Sequence, residues 1–366
     1  MSFLTCYRQY NWNSIQSDIY QKTPADVERV LSKRGSRTLE DFKILVSPAA
    51  DCYLKEMAAI SRLLTRQRFG NIVQMYIPLY LSNECTNSCK YCGFSKKNEI
   101  PRITLSIDQV LSEANVIKNM GFEHVLLVSG ESKTVDVDYL KTCINILQPH
   151  FANISIEVPP LEQVHYESLI EAGLHAVYIY QETYGPEYSI FHPKGKKSDF
   201  NYRLLTPDRL GAAGVYKMGL GFLIGLDDWR TDAWFMAAHL DYLVKTHWRS
   251  KYCISFPRLR AAAGNFRPPI EISDRQLVQL ICAYRIFDEN VELSLSTRET
   301  ELFRDHVFQL GITAMSAGSK TSPGGYSLFN DILDQFQVED LRTPEQVTAM
   351  ISAKGYKPVW KDWFRM

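Results

Sequence analysis

A (β/α)8 TIM-type barrel, with a helical N-terminal extension and a short C-terminal helical tail, is the fold class this sequence predicts. Three observations carry it. The 366 residues suit one large α/β barrel with extensions, or two ordinary domains. Eight short apolar, β-branched or aromatic runs succeed one another from Met75 onward, and helical patterns lie between them. Regular alternation of this kind produces βα units with right-handed crossovers and a parallel sheet.

The elements follow in chain order. Residues 1–70 read as helices: "TPADVERVLSK" has Thr23 as N-cap and Pro24 at the first helical position, "TLEDFKIL" has Thr38 as cap, and "AADCYLKEMAAISRLLTRQRFG" stops at Gly70. Residues 71–320 hold the strand candidates "MYIPLYL", "HVLLVSG", "NISIEV", "AVYIYQET", "GLGFLIG", "YCISFP", "LSLSTRE" and "ITAMSAG". Between them run amphipathic segments such as "SIDQVLSEANVIKNMG", capped by Ser106, and "SDRQLVQLICAYRIFDE". Residues 321–366 form a tail, with "TPEQVTAMISAKGYKPVWKDWF" read as one more helix and a Trp-rich end.

Composition narrows the function. Forty-one basic and forty-one acidic side chains give zero net charge, and no basic stripe stands ready to neutralise a phosphate backbone, so nucleic acid is not an expected partner. The opening "MSFLTCYRQYNWNS" lacks the charged and apolar regions of a signal peptide. No apolar run is long enough to span a membrane, and the cytoplasm is the expected compartment. Eight cysteines, three clustered and five scattered, do not make a secreted disulfide framework. Metal or redox chemistry is the better expectation.

The three clustered cysteines sit in "LYLSNECTNSCKYCGF" at C-x3-C-x2-C spacing: Cys85, Cys89 and Cys92. On a strand Cys85 and Cys89 would share a face and Cys92 would point away, so only a loop brings them together. Asn83, Asn87, Ser88 and Gly93 supply its turn chemistry. The loop follows the first strand, at the barrel end where reactive groups project. Structural zinc takes four protein ligands, and no fourth Cys or His lies nearby. A 4Fe–4S cubane normally takes four thiolates; with three, one iron keeps an open position.

This motif, with the aromatic Tyr91 before the last cysteine, resembles the signature of the radical S-adenosylmethionine enzymes. The resemblance implies a radical SAM barrel, a 4Fe–4S cluster held by Cys85, Cys89 and Cys92, and S-adenosylmethionine on the open iron. One-electron cleavage of the sulfonium then gives methionine and a 5'-deoxyadenosyl radical. "VSGES" resembles the family's Gly-Gly-Glu motif and assigns Gly130 and Glu131 to the methionyl amine, with Ser129 in place of the first glycine. Glu157, and Gln181, Glu182 and Thr183 of "IYQETY", stand at strand ends where polar groups can meet ribose hydroxyls; solvated loop chemistry is the alternative for each. Arg203 resembles the arginine that pairs with the methionyl carboxylate in the biotin-synthase branch. The glycines of "GLGFLIG" lie within a strand and do not form a dinucleotide turn, so they are read as close approach to a flat ligand; the stretch resembles the family's fifth-strand motif, which implies support of adenine near Leu223 and Ile224. "YGPEYSIFHPKGKK" is read as a loop with a solvated basic tip and His192 as a loop histidine.

Together with "YQETYGPEY", "SLSTRE" and "SAGSKTSPGGY", the cysteine segment resembles the aromatic amino acid lyases of that family, most closely their tyrosine-cleaving branch in thiamine thiazole biosynthesis. The resemblance implies hydrogen-atom abstraction from the amino group of L-tyrosine, then Cα–Cβ cleavage to 2-iminoacetate and p-cresol. It also implies a reductant such as flavodoxin or ferredoxin, and a thiazole synthase as receiving partner. An α-amino acid needs a cation for its carboxylate: Arg298 takes that role, with hydroxyls from Ser296, Ser316 and Ser319. The alternative for Arg298 is a rim ion pair with Glu299 or Glu301. Tyr91, Tyr184 and Tyr326 are candidates to line the phenol site. Rival readings are a tryptophan lyase of the same family, an iron–sulfur electron-transfer protein and a zinc-binding module. A hydrogenase-ligand lyase would carry further C-terminal cysteines, yet none follows Cys282. A biotin-synthase-like sulfur donor needs cysteines on several barrel strands for a second cluster, and only Cys253 lies in one.

Overall fold

All eight apolar runs become strands, and they close on themselves. A computed structural model describes residues 2–263, 266–329 and 332–361. Strands β1 (Ile72–Ser82), β2 (His124–Ser129), β3 (Asn153–Glu157), β4 (Leu174–Glu182), β5 (Lys217–Phe222), β6 (Lys251–Ser255), β7 (Glu292–Leu295) and β8 (Ala314–Ser316) pair in parallel in chain order. β1 pairs with both β2 and β8, which closes the barrel. Helices cover its outside, so most strand residues are buried on both faces and the runs read as continuously apolar.

The capping signals are used as written. Thr23, Thr38, Ser106, Ser273 and Thr343 each accept from the backbone N–H three residues on, in full capping boxes. The N-terminal helices wrap the barrel flank through aromatic contacts: Phe3 stacks on His239 at 3.8 Å, Trp12 on Phe235 at 5.4 Å, and Phe42 packs on Tyr284 at 4.8 Å. Helix Leu54–Phe69 lies against helix Asp274–Phe287. Among the described residues, no helix is long and apolar enough to cross a membrane.

Two sequence expectations change. The segment "TPDRLGAAGVYKMG" is helical only over Thr206–Ala213, because Gly214 adopts a left-handed conformation and β5 starts at Lys217. The tail is helical over Pro344–Ala353 and then forms a ninth strand, β9 (Lys357–Val359), pairing in parallel with Ile72, Val73 and Gln74 at the start of β1. β2 pairs only from Ile77 onward, and β9 takes its place beside Ile72, Val73 and Gln74. Residues 362–364 of the predicted Trp-rich end lie outside the described residues.

Candidate active site

The loop after β1 is held in place by residues on every side. Arg102 donates to four carbonyls, of Asn83 (2.8 Å), Phe94 (2.8 Å), Ser95 (2.7 Å) and Asn98 (2.9 Å), so one guanidinium fork gathers both ends of the cysteine segment. Thr86 N–H donates to the Glu131 carbonyl at 2.7 Å, and Asn87 Nδ2 donates to the Glu131 carboxylate at 2.6 Å. A Cβ at Gly130 would sit 2.3 Å from the Glu84 carbonyl oxygen, so only glycine lets the β2 turn lie against this loop. The "SGES" turn therefore supports the cysteine loop, and Glu131 does so with its backbone and its side chain.

Cys85, Cys89 and Cys92 line one cavity at the C-terminal end of the barrel. Burial pushes the Cys89 thiol up to about 12 against the pull of Lys197, and burial with the neighbouring Cys85 charge raises Cys92. Two carboxamides reach the sulfurs: Asn87 Nδ2 lies 3.8 Å from Cys85 Sγ and Gln335 Nε2 lies 3.7 Å from Cys92 Sγ. Three soft thiols on one loop, each needing to lose a proton to bind metal, suit an iron–sulfur cubane with one free corner. Among the described residues no three Cys, His, Asp or Glu side chains are grouped to hold a single metal ion.

The same cavity carries a charged wall opposite. Glu182 ends β4 with φ 74°, the one described non-glycine residue at positive φ, just after a register shift between Tyr180 and Glu182. Its carboxylate faces inward, where Lys197 Nζ donates at 2.6 Å and Arg203 at 3.1 Å. Burial alone would raise this carboxyl, but Lys197 and Arg203 outweigh it and hold it at about 2. Arg203 also donates to the Tyr180 carbonyl at 2.6 Å. Tyr91 donates its hydroxyl to His192 Nε2 at 2.8 Å, while His192 Nδ1 donates to the Tyr188 carbonyl at 2.7 Å. Burial keeps that imidazole neutral, with its pKa lowered to about 3, consistent with the acceptor role of Nε2.

Below, a second cavity runs into the barrel and shares Glu157, Tyr178, Tyr180, Arg298 and Phe336 with the first. Tyr76, Tyr80, Phe256, Ser294, Ser296, Ser316 and Ser319 line its remainder. Arg298 lies over the Phe336 ring, with Cζ 3.3 Å from the centroid, and no carboxylate among the described residues pairs with it. Glu299 is taken by Arg258 and by Arg260 at 2.9 Å, and Glu301 faces Arg342 at 3.6 Å, so the rim-pair alternative is not the arrangement found. Ser316 Oγ accepts from Thr297 N–H at 3.1 Å, and Ser296 Oγ from Arg298 N–H at 3.4 Å, which fixes the turn carrying the arginine. Burial raises Glu157 to about 7, opposed by Arg298 and assisted by Glu182.

The expected residues thus fall into two groups. Tyr91, Gly130, Glu131, Arg203, Leu223 and the three cysteines line the upper cavity, Ser296 and Ser316 the lower one, and Glu157 and Arg298 both. Gln181 and Thr183 line neither. Alternation along β4 turns Tyr178, Tyr180 and Glu182 to the interior, so Gln181 faces away, and Thr183 Oγ1 donates to the buried Asp232 at 3.0 Å. Tyr184 and Tyr326 are also outside the cavity, bonded to His239 Nδ1 at 3.0 Å and to the Pro78 carbonyl at 2.7 Å. The β5 glycines pack against the rings of cavity-lining tyrosines. A Cβ at Gly219 would fall 1.9 Å from the Tyr178 ring, and one at Gly221 2.6 Å from the Tyr180 ring, so these glycines make room for tyrosines of the paired strand. The supposedly solvated basic loop sends His192 and Lys197 inward, and of its lysines Lys194 and Lys196 stay exposed. Lys197, Gln335 and Phe336 were not expected here, because each enters from a loop distant in sequence from the cysteines, and Arg102, which follows them closely, acts through its guanidinium on backbone carbonyls.

A closed parallel barrel with three convergent thiols beside a mixed-charge cavity defines a radical S-adenosylmethionine enzyme. Residues 79–234 match the Radical SAM superfamily and residues 255–357 the Biotin and Thiamin Synthesis associated domain. The chain is 49% identical to 2-iminoacetate synthase of Escherichia coli (strain K12), over 99% of this chain and 97% of that protein. In fold it resembles HydG, a maturase of the FeFe-hydrogenase, with TM-score 0.90 and 30% identity over 95% of this chain and 80% of that one. Methylornithine synthase shares the fold at TM-score 0.69 and 19% identity, over 91% of this chain. The chain belongs to the 2-iminoacetate synthase family.

Proposed function

We propose that this protein is a radical SAM lyase that cleaves the Cα–Cβ bond of L-tyrosine, giving 2-iminoacetate and p-cresol for the thiazole of thiamine. The observation that carries the reading is the joining of two cavities through Arg298: a thiol-bearing chamber above, and a chamber lined by Tyr76, Tyr80, Tyr178, Tyr180 and Phe256 below. Near full-length identity to 2-iminoacetate synthase supports tyrosine over tryptophan as substrate. Cys85, Cys89 and Cys92 would hold the 4Fe–4S cluster. With S-adenosylmethionine bound there, the cofactors supply a 5'-deoxyadenosyl radical.

The protein's own groups do the rest. Glu131, Glu157, Glu182, Lys197 and Arg203 offer both signs of charge to a ligand that itself carries amine, carboxylate and sulfonium. Arg298 takes the substrate carboxylate on its guanidinium while its other face rests on Phe336. The buried tyrosines of the lower chamber surround the substrate ring and exclude water. Glu157, poised near neutrality, lies where it can take a proton from the substrate ammonium so that the amine is neutral when its hydrogen atom leaves. The protein would act in the cytoplasm with a flavodoxin or ferredoxin as electron donor and pass the unstable imine to a thiazole synthase. Anaerobically reconstituted protein given reductant, S-adenosylmethionine and L-tyrosine should form p-cresol and 5'-deoxyadenosine. A tryptophan-derived product with no cresol would overturn the assignment.

A further inference from the structure

The segment before the tail helix crosses the mouth of the barrel and touches the cysteine loop at one point. Gly93 N–H donates to the Gln335 carbonyl at 3.1 Å, and Gln335 N–H donates to the Thr321 carbonyl at 3.0 Å. The approach is close enough that a Cβ on Gly93 would lie 2.7 Å from the Gln335 carbonyl oxygen. From this backbone anchor the Gln335 side chain reaches back to Cys92: Nε2 stands 3.7 Å from Sγ. On its other side Tyr80, an inward residue of β1, donates its hydroxyl to Gln335 Oε1 at 2.7 Å.

The orientation of the carboxamide follows from this pair. A thiolate ligand has no proton and only accepts, so the amide must turn its N–H to Cys92 and its oxygen to the Tyr80 donor. Tyr80 is fixed in turn by an edge contact with Phe94, 5.9 Å between centroids, two residues beyond Cys92. The residue that reaches this sulfur comes from 243 positions along the chain, within the Biotin and Thiamin Synthesis associated region. Asn87, which reaches Cys85, belongs to the cysteine loop itself and also donates to Glu131.

We propose that Gln335 is a positioning residue for the iron–sulfur cluster: its N–H bond to the Cys92 sulfur raises the cluster's reduction potential, and Tyr80 keeps the carboxamide in the donating orientation. This rests on the reading that Cys85, Cys89 and Cys92 hold that cluster. Reduction adds negative charge that spreads onto the sulfurs, and a fixed N–H donor stabilises that charge more in the reduced state than in the oxidised one. Losing the donor therefore makes the cluster harder to reduce, whatever happens at the substrate.

The test is a mediated redox titration of anaerobically reconstituted protein, read by the low-temperature EPR signal of the reduced cluster, without S-adenosylmethionine or tyrosine. Wild type is compared with Gln335→Leu, similar in size but with no donor, and with Tyr80→Phe, which frees the carboxamide to rotate. Both variants should keep the full iron and sulfide content. At the wild-type midpoint, the ratio of reduced to oxidised cluster in Gln335→Leu should fall about threefold or more, with a smaller fall in the same direction for Tyr80→Phe. Gln335→Leu that titrates with wild type overturns the proposal. If Gln335→Leu does not assemble a cluster, Tyr80→Phe decides, and an unmoved midpoint there overturns it. Wild-type protein that holds no iron–sulfur cluster defeats the underlying reading instead, a separate result visible before any titration.

Discussion

Neutralising Glu182 should cost a definite amount of stability with a definite pH dependence. This carboxylate accepts from both Lys197 and Arg203 and is almost wholly buried, and its pKa moves from the ordinary 4.5 to about 2. Displacement of that size corresponds to roughly 3 kcal/mol at pH 7, in line with the ~3–5 kcal/mol lost when one partner of a buried pair is removed. The substitution Glu182→Gln keeps the shape and one acceptor oxygen but strands two cations. Because the folded pKa is depressed, the stabilisation is fully present above about 4.5 and is lost as pH falls toward about 2. Urea unfolding of the cluster-free protein should therefore show the variant less stable by roughly 3 kcal/mol at pH 7, narrowing to about 2 kcal/mol near pH 3.5. A gap below about 1 kcal/mol at pH 7, or one that does not narrow in acid, would refute the assignment of Glu182 as the buried anion of this site.

Other substitutions test neighbouring parts. Arg298→Lys keeps the charge but loses the planar fork and the face on Phe336, so kcat/KM for tyrosine should fall about 10- to 100-fold in cresol-formation assays. Single changes of Cys85, Cys89 or Cys92 to Ala should abolish the cluster's visible absorption. Cys143→Ala and Cys282→Ala, both deep in the core, should retain it. Asp340 pairs with the fully buried Arg304 and, at 2.7 Å, with Arg342, so Asp340→Asn should lower stability in chemical denaturation by about 3–5 kcal/mol.

The fold was legible because each strand is a short apolar run between capped helices, and a strand buried on both faces has no alternation to hide it. β9 escaped notice because "KPV" is short, contains proline and gains strand geometry only by pairing with the start of β1. The cysteines were legible because three thiols within eight positions have few other uses. Residues on the regular part of a strand were placed well, since period two tells inside from outside. Of the three polar residues ending β4, only Glu182 enters the cavity, because it continues the alternation of Tyr178 and Tyr180, while Gln181 and Thr183 fall on the other face.

The remaining misses share a cause that bears on how the site works. Lys197, Gln335 and Phe336 come from loops whose composition looks solvated, and each reaches the cavity at the barrel mouth from outside the barrel strands. The 332–340 segment binds the Gly93 backbone and the Cys92 sulfur at one end, through Gln335. At the other end its Glu339 and Asp340 N–H groups donate to the Thr297 carbonyl, next to Arg298. Between these anchors Phe336 supports the arginine. One strap thus spans the thiol-bearing loop and the substrate-facing turn, which lie on opposite sides of the chain's order but on one rim of the barrel. A shift of either end must be felt at the other through a few well-packed residues, so the second region of the chain completes the chamber that the cysteine loop begins.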